Sequence, residues 1–442
     1  MGIFKAYDIR GVYPTELHEE MAYAVGCAAA TFFGSKEIIV GRDMRESSDT
    51  LFTSLTEGIA DSGVNIIDIG VVSSPMISFA SGRLNKPGVM ITASHNPREY
   101  NGFKLVRAGA IPVSGDSGMQ EIERLVAAGE FAKAKKRGVI RERPVDDEYK
   151  EHVLSLIDKD AVTSLRVVVD AGNGMGGKIV PLVFSELSAV RLIPLYFELD
   201  GSFPNHEANP LKAENMAELR KRVISEKADL GIAFDGDADR VFFVSDKGEI
   251  VPADLITCII GEAFLTKHKG GTVLYDLRSS WIVKEHLESL GAKTQMCRVG
   301  HSFIKEQLRK TKGIFAGELS GHFYFRDNYY ADSGIIAALK VIELLSKKRK
   351  RLSELTIPLK KYFATGEINS KVANTAAKIR ELGKKYADGQ VSYLDGIRVD
   401  YKEWWFNVRA SNTEPLLRLN LEAMTMEMME AKKREVLSII NR

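Results

Sequence analysis

Three short apolar runs in this chain each end in a polar, glycine-containing loop: GVMITASHN from Gly88, LGIAFDGDAD from Leu230 and GIFAGELSG from Gly313. A strand-like IIDIGV precedes the first, while MAELRKRVISEKAD and FIKEQLRKTK, with apolar residues at helical spacing, precede the second and third. Strands that alternate with helices assemble into α/β sheets, and ligands of such sheets bind beyond the carboxyl ends of the strands, where each loop falls. The recurrence predicts three similar α/β domains with mixed, mostly parallel sheets. A chain of 442 residues is too long for one hydrophobic core and by length alone suggests about three domains.

Three segments mark boundaries: the charged AKAKKRGVIRERPVDDEYK, the turn-like DKGEIVPADL and the linker-like KKRKRLSELTIPLKKY. They predict units at 1–145, 146–247 and 248–360. Beyond them, WWFNVRASNTEPLLRLNLEA reads as two strands joined by a polar loop, and MTMEMMEAKKREVLSIINR as a closing amphipathic helix. Residues 361–442 are therefore expected to form a smaller α+β domain.

Apolar residues make up 45% and charged residues 27%, an ordinary globular balance that excludes disorder as the main state. With 61 Lys and Arg against 59 Asp and Glu the net charge is +2, so no global field holds a polyanion and nucleic acid is not an expected partner. An anionic ligand must be gripped by a local cluster of cations and backbone N–H groups. Cys27, Cys258 and Cys297 lack the spacing of a zinc site or redox pair and read as core thiols. Asp8 and Arg10 interrupt the place where a signal peptide needs its apolar run, and no 18-residue apolar stretch follows, so a cytoplasmic protein without membrane contact is expected.

Ser94 ends a buried strand ahead of Pro97, a setting that presents a hydroxyl rather than packing it. It is a candidate nucleophile; the alternative is a serine turn capping a helix. A G-x-S-x-G elbow fails, because Thr92 and Asn96 stand where glycines are needed. Asp235, Asp237 and Asp239 alternate directly after a strand, and three carboxylates so close repel unless a hard cation such as Mg²⁺ neutralises them. An EF-hand is excluded by Arg240 and Asp246 at its Gly and Glu positions, leaving a solvated acidic turn as the bland alternative. Arg240 follows as a candidate phosphoryl contact.

Glu318, Ser320 and His322 offer acceptors and donors suited to sugar hydroxyls. His301 and His322 are candidate proton carriers by residue type, or structural loop histidines. Arg409, Ser411, Asn412 and Thr413 mix a guanidinium, hydroxyls and an amide suited to phosphate oxygens, or form a plain polar hairpin turn. Gly172, Gly174 and Gly177 satisfy G-x-G-x-x-G after LRVVVDA, but Asp170 precedes them and nothing else suggests nicotinamide chemistry. A close helix approach to phosphate or to the sheet is the remaining use for those glycines.

Together, TASHNP with Asn101-Gly102-Phe103-Lys104 downstream, DGDADR, GELSGH and RASNTEP stand in the order and rough spacing of the α-D-phosphohexomutase superfamily. The chain resembles it from AYDIRG at 6–11 through the loop at 409–415, and is most similar to the bacterial and archaeal phosphomannomutase/phosphoglucomutases. Phosphoglucosamine mutases usually carry Gln where Leu319 stands and Gly where Asn412 stands, which points away from an amino sugar. The resemblance implies four domains around one central cleft, with Ser94 as phosphoserine. It implies one Mg²⁺ held by Asp235, Asp237, Asp239 and a Ser94 phosphoryl oxygen. Lys104, Arg240, His301 and His322 would surround the transferring phosphoryl group, and Glu318 and Ser320 would grip the sugar. Arg409, Ser411, Asn412 and Thr413 would hold the phosphate that is not reacting, with Tyr7, Arg10 and Gly300 lining the cleft. Arg278 stands where some relatives have a substrate-contacting lysine.

The implied activity interconverts hexose 1-phosphate and hexose 6-phosphate, of mannose or glucose, with a hexose 1,6-bisphosphate as intermediate and activator. A phosphoglucosamine mutase and a Mg²⁺-dependent sugar-phosphate phosphatase are the rival activities; a dinucleotide oxidoreductase and a non-catalytic sugar-phosphate binder are the more distant ones. Small-molecule hexose phosphates are the expected partners, bound by a monomer or weak homodimer.

Overall fold

The computed structural model describes residues 2–131, 133–411 and 416–442. Four sheets follow one another along the chain. In the first, Asn65–Val71, Glu37–Arg42 and Gly88–Ile91 run parallel, while Tyr100–Arg107 and Ile9–Val12 add antiparallel strands at one side. The second has parallel Val190–Leu195, Leu165–Asp170 and Leu230–Phe234, then antiparallel Val241–Ser245 and Ile250–Val251. The third repeats the scheme with Lys293–Cys297, Thr272–Asp276 and Phe315–Gly317, followed by antiparallel Phe323–Phe325. The three polar loops thus occupy one topological place: each turns the chain from the last parallel strand into its antiparallel neighbour. This puts all three at the carboxyl ends of parallel strands, as the sequence led us to expect.

The fourth unit is built differently. Its strands, among them Ile397–Asp400, Trp404–Ala410 and Leu416–Ala423, are all antiparallel, and helices Thr375–Lys385 and Met426–Ile440 pack on them. Its apolar core, centred on Phe406, Leu419 and Leu421, is its own. By contrast, one continuous core runs from Ile39 and Met76 through Val167 and Phe243 to Phe315 and Ile336 and so joins the first three units. Helix Gly334–Lys348 explains the continuity, since every residue from Gly334 to Ser346 is buried. A helix buried on every side must lie inside the molecule, and its Lys340 is paired with Glu343.

The segment KKRKRLSELTIPLKKY is not a simple linker. Helix Leu352–Thr356 and the turn Ile357–Leu359 bury Leu352, Leu355 and Leu359 in the shared core, a spacing hidden by the basic run before it. Helix Ser74–Leu84, between IIDIGV and the first loop, was also not expected; its serines mask a wholly buried first two turns. Cys27, Cys258 and Cys297 are buried free thiols. No helix among the described residues is long and apolar enough to cross a membrane.

The fourth unit meets the third through polar contacts. Trp281 Nε1 donates to Asp400 Oδ1 at 3.1 Å, Trp281 N to Glu422 Oε1 at 3.0 Å and Val299 N to Asp395 Oδ2 at 3.2 Å, and Arg398 donates to the Leu277 carbonyl. Each such bond adds about 0.5–1.5 kcal/mol net, while each fully buried Leu or Ile of a shared core adds about 1.5–3 kcal/mol. The junction before the fourth unit is therefore the one that opens first. Phe406→Ala, at a ring 4.9 Å from Tyr386 and 5.6 Å from Trp404, should cost about 3–5 kcal/mol and lower only the transition of this unit in calorimetry of the whole chain. A uniform shift of every transition would contradict separate cores.

Candidate functional site

Ser94 adopts φ +52°, a left-handed conformation rare for a residue with a Cβ, and it is 2% exposed. Its surroundings impose that shape. Arg45, with a wholly buried side chain, donates to the carbonyls of Ser94 at 2.9 Å, Asn96 at 2.7 Å, Pro97 at 2.8 Å and Tyr100 at 2.9 Å, and its Nε lies 3.3 Å from Asp43 Oδ2. Thr92 Oγ1 accepts from Ser94 N at 2.9 Å. From this clamped backbone Ser94 Oγ donates to Asp235 Oδ2 at 2.8 Å, across the boundary between the first and second units, and lies 3.3 Å from His95 Nδ1.

Asp235, Asp237 and Asp239 are buried, with ligand oxygens that all lie within 4.8 Å of one another. Burial pushes the Asp235 carboxyl well above its ordinary range, and the charges of Asp239 and Asp237 push it the same way. Asp237 Oδ1 has no hydrogen-bond partner among the described residues. An oxygen-only, mutually repelling and partly unsatisfied donor set fits a hard divalent cation such as Mg²⁺. The loop is held from both sides. Ser74 N, at the start of helix Ser74–Leu84, donates to Asp237 O at 3.0 Å and its hydroxyl to the Asp237 carboxylate, while Lys104 Nζ lies 2.6 Å from both Asp237 Oδ2 and Asp239 Oδ2.

The third loop docks on the second through a backbone bridge between Arg240 and His322. There His322 Nε2 lies 3.3 Å from Asp239 Oδ1 and Arg240 Nε 3.3 Å from His322 Nε2, while Ser320 Oγ lies 3.0 Å from His322 Nδ1. Burial works against an imidazolium at His322, but the Asp239 and Glu318 carboxylates overcome it and raise the pKa to about 9. His301 differs: burial, helped by Lys305, holds its imidazole neutral well below the usual range. Tyr7 packs edge-on against His301 and against Gly300, whose φ is +124° and where a Cβ would fall 2.5 Å from the Tyr7 hydroxyl. Arg10 donates to Asn96 Oδ1 at 2.7 Å and pairs with Asp8.

A cavity of about 580 Å³ joins these parts, with walls that include Ser94, Lys104, Asp239 and Arg240. Tyr7, Arg10, His301 and His322 complete it on the other side. Arg278, Gly300, Glu318, Ser320, Arg409 and Ser411 do not line it. Three of these, Glu318, Arg278 and Arg409, lie along a chain of charged contacts: His322 to Glu318 at 3.5 Å, Glu318 to Arg278 at 3.5 Å, Arg278 to Glu367 at 3.4 Å and Glu367 to Arg409 at 3.2 Å. Arg278 is also clamped on Asp276, its Nε and Nη2 lying 3.1 and 3.0 Å from the two carboxylate oxygens, a fork a lysine cannot reproduce. Ser411 N donates to Leu416 O at 2.9 Å; Asn412 and Thr413 lie outside the described residues.

The glycine run at 172–177 has a local explanation. Met175 N donates to Gly236 O at 2.8 Å, and a Cβ on Gly174 would fall 2.7 Å from that same oxygen, so the glycines let this turn brace the acidic loop. Sequence reasoning missed Asp43, Arg45, Ser74, His95 and Asp276. The signal for the first two was present: GRDMR closes strand Glu37–Arg42 with a charged loop at its carboxyl end, although this loop leads into helix Ser48–Asp61 rather than into an antiparallel strand.

A buried hydroxyl against a carboxylate triplet, in a cavity rimmed by cations, suits a site that carries an anionic group. Comparison with known proteins narrows the class. The phosphoglucomutase/phosphomannomutase alpha/beta/alpha domains I, II and III match residues 1–133, 147–248 and 252–362, and the C-terminal domain of the same family matches 367–438. The chain belongs to the phosphoglucomutase/phosphomannomutase family. It is 40% identical over 449 residues to a phosphomannomutase of Salmonella typhimurium and 41% identical over 449 residues to one of Escherichia coli, each alignment covering 99% of this chain and 98% of the relative. A crystal structure of a phosphoglucomutase/phosphomannomutase family protein from Burkholderia thailandensis superimposes with TM-score 0.91 at 30% identity, covering 99% of this chain and 96% of that one.

Arg45→Met removes four carbonyl partners and leaves the buried Asp43 without its cation. It should destabilise the protein by about 3–5 kcal/mol in chemical denaturation, and a loss below about 1 kcal/mol would show that the serine loop does not depend on this clamp.

Proposed function

We propose that this protein is a phosphohexomutase that moves a phosphoryl group between O1 and O6 of mannose or glucose through a phosphorylated Ser94. The observation that carries this reading is that Ser94, in the wall of a cavity of about 580 Å³, donates at 2.8 Å to the buried Asp235 behind it. The whole-length similarity to phosphomannomutases supports the hexose-phosphate class and favours mannose as one substrate. Asp235, Asp237, Asp239 and a Ser94 phosphoryl oxygen would hold a single Mg²⁺, which when bound supplies positive charge against the phosphoryl group.

Phosphoryl transfer asks a protein chiefly for alignment and for cations on the developing charge. The fixed φ of Ser94 aims its phosphate into the cavity, and Lys104 and Arg240 face the transferring oxygens. As the sugar hydroxyl bonds to phosphorus, the bond from phosphorus to Ser94 Oγ breaks; the hydroxyl proton passes to a nearby base, and Ser94 Oγ leaves with the bonding pair and takes up a proton to become the free hydroxyl. His301, kept neutral by burial, is suited to be that base, and Tyr7 packs edge-on against its ring. The resulting 1,6-bisphosphate turns over in the cleft and returns its other phosphate to Ser94. Glu318 and Ser320 would grip the hydroxyls during both passes, while Arg409 and Ser411 hold the phosphate at rest. The protein's own cations around the cavity suit small hexose phosphates as partners.

Ser94→Ala should abolish net isomerisation in a coupled assay on mannose 1-phosphate and glucose 1-phosphate, and intact mass should lose the single phosphate of the wild type. Turnover near the wild-type rate would remove the phosphoserine. Added Mg²⁺ should raise the unfolding temperature of the wild type and leave that of Asp237→Ala nearly unchanged; equal shifts in both would remove Asp237 from the metal site.

A further inference from the structure

Helix His301–Thr311 carries His301, Lys305 and Arg309 at a four-residue spacing, so the three side chains share one face. His301 lines the cavity, and Lys305 Nζ lies 2.8 Å from Asp332 Oδ1, both residues being buried. About 12 Å along the axis from His301, Arg309 reaches out of the third unit. Its Nη2 donates to the carbonyls of Gly109 and Ala110, each at 2.9 Å, in the turn after strand Tyr100–Arg107 of the first unit, and to the Tyr329 carbonyl of its own unit. Its guanidinium also lies 5.1 Å from the Tyr330 ring centroid. Ala110, Tyr329 and Tyr330 have φ of +59°, +54° and +60°, a left-handed conformation that is costly for a residue with a Cβ and persists only where neighbours enforce it. All three converge on this one guanidinium. Helix Ser74–Leu84 meets the same point: Ala110 N donates to Ser81 Oγ at 3.2 Å, and a Cβ on Gly82 would fall 2.3 Å from the Tyr329 ring.

We propose that Arg309 is a positioning residue for phosphoryl transfer, the tie that sets where His301 stands against the reacting groups of the first unit. Three elements run from this point to the cavity. Helix His301–Thr311 begins at His301, strand Tyr100–Arg107 carries Lys104, and helix Ser74–Leu84 begins at Ser74, whose hydroxyl donates to Asp237. Arg309 joins their far ends across the boundary between the first and third units, and a shift there is carried along rigid elements to the near ends. Alignment of the reacting atoms tolerates little misplacement, so a tie of this kind acts on rate more than on affinity. A lysine offers one point charge where the guanidinium offers a planar fork, and it restores the tie only in part. The proposal rests on the mutase reading for the chemistry that the tie serves, while its contacts stand apart from Ser94.

Arg309→Met keeps the apolar stem and removes the donors. The full-length variant is assayed on mannose 1-phosphate with Mg²⁺ and a hexose 1,6-bisphosphate supplied, at a temperature where circular dichroism shows it folded. Its kcat should fall about 10- to 100-fold while KM stays within about threefold, and Arg309→Lys should recover part of the loss. A role in stability alone lowers the unfolding temperature and leaves kcat of the folded enzyme as it was. Wild-type kcat in Arg309→Met therefore overturns the proposal, as does a loss that falls on KM instead. Amide hydrogen exchange reads the tie without turnover: in Arg309→Met, residues 108–112 and 301–305 should lose protection together, while strands Trp404–Ala410 and Leu416–Ala423 keep theirs. Unchanged exchange in the first two segments overturns the tie. If Arg309→Met fails to fold, Arg309→Lys against the wild type decides in the same terms. Absence of isomerisation by the wild type would strike the mutase reading and leave the exchange result to judge the tie.

Discussion

Three buried carboxylates within 4.8 Å of one another cannot persist without cations, and much of the molecule is arranged to supply and aim them. The acidic loop draws Lys104 from the first unit and His322 from the third, and Ser94 donates into it from a strained turn. Those contacts cross two domain boundaries. A site of this kind is possible only if the first three units cannot slide against one another, which is what the shared apolar core and the buried helix Gly334–Lys348 ensure.

The fourth unit obeys the opposite rule. Its core is separate and its junction polar, so it can part from the rest at small free-energy cost while the reacting groups stay fixed. On the proposed mechanism, a bisphosphate turning end over end without leaving would need such a division: rigid walls where bonds are exchanged, and a movable one where a phosphate is only held. The ion-pair chain from His322 through Glu318, Arg278 and Glu367 to Arg409 spans the two parts. Each link of it alternates charge.

The functional loops were legible in the sequence because each is contiguous: TASHNP, DGDADR and GELSGH carry their chemistry within a few residues of a strand end. The triple α/β repeat was legible for the same reason, since the strand, loop and helix periods are local. What escaped was set by tertiary contact. Arg45 reaches Ser94 from a loop 49 residues away, Ser74 braces Asp237 from 163 residues away, and Glu367 meets Arg418 only because the sheet register places them together. Strand Ile140–Glu142 is exposed throughout and offered no apolar signal, while the basic run at 347–351 disguised a helix and turn that together anchor three leucines. Length alone suggested three domains; the resemblance corrected the count.

The departure at Arg278 now has a physical meaning. A lysine there would place one compact charge in the cleft, whereas the guanidinium is spread across Asp276, Glu318 and Glu367 and has little left for a direct grip on substrate. On the proposed reading, the grip on the resting phosphate then falls on Arg409 of the fourth unit, which has its own core, while the reacting end belongs to the three units that share one.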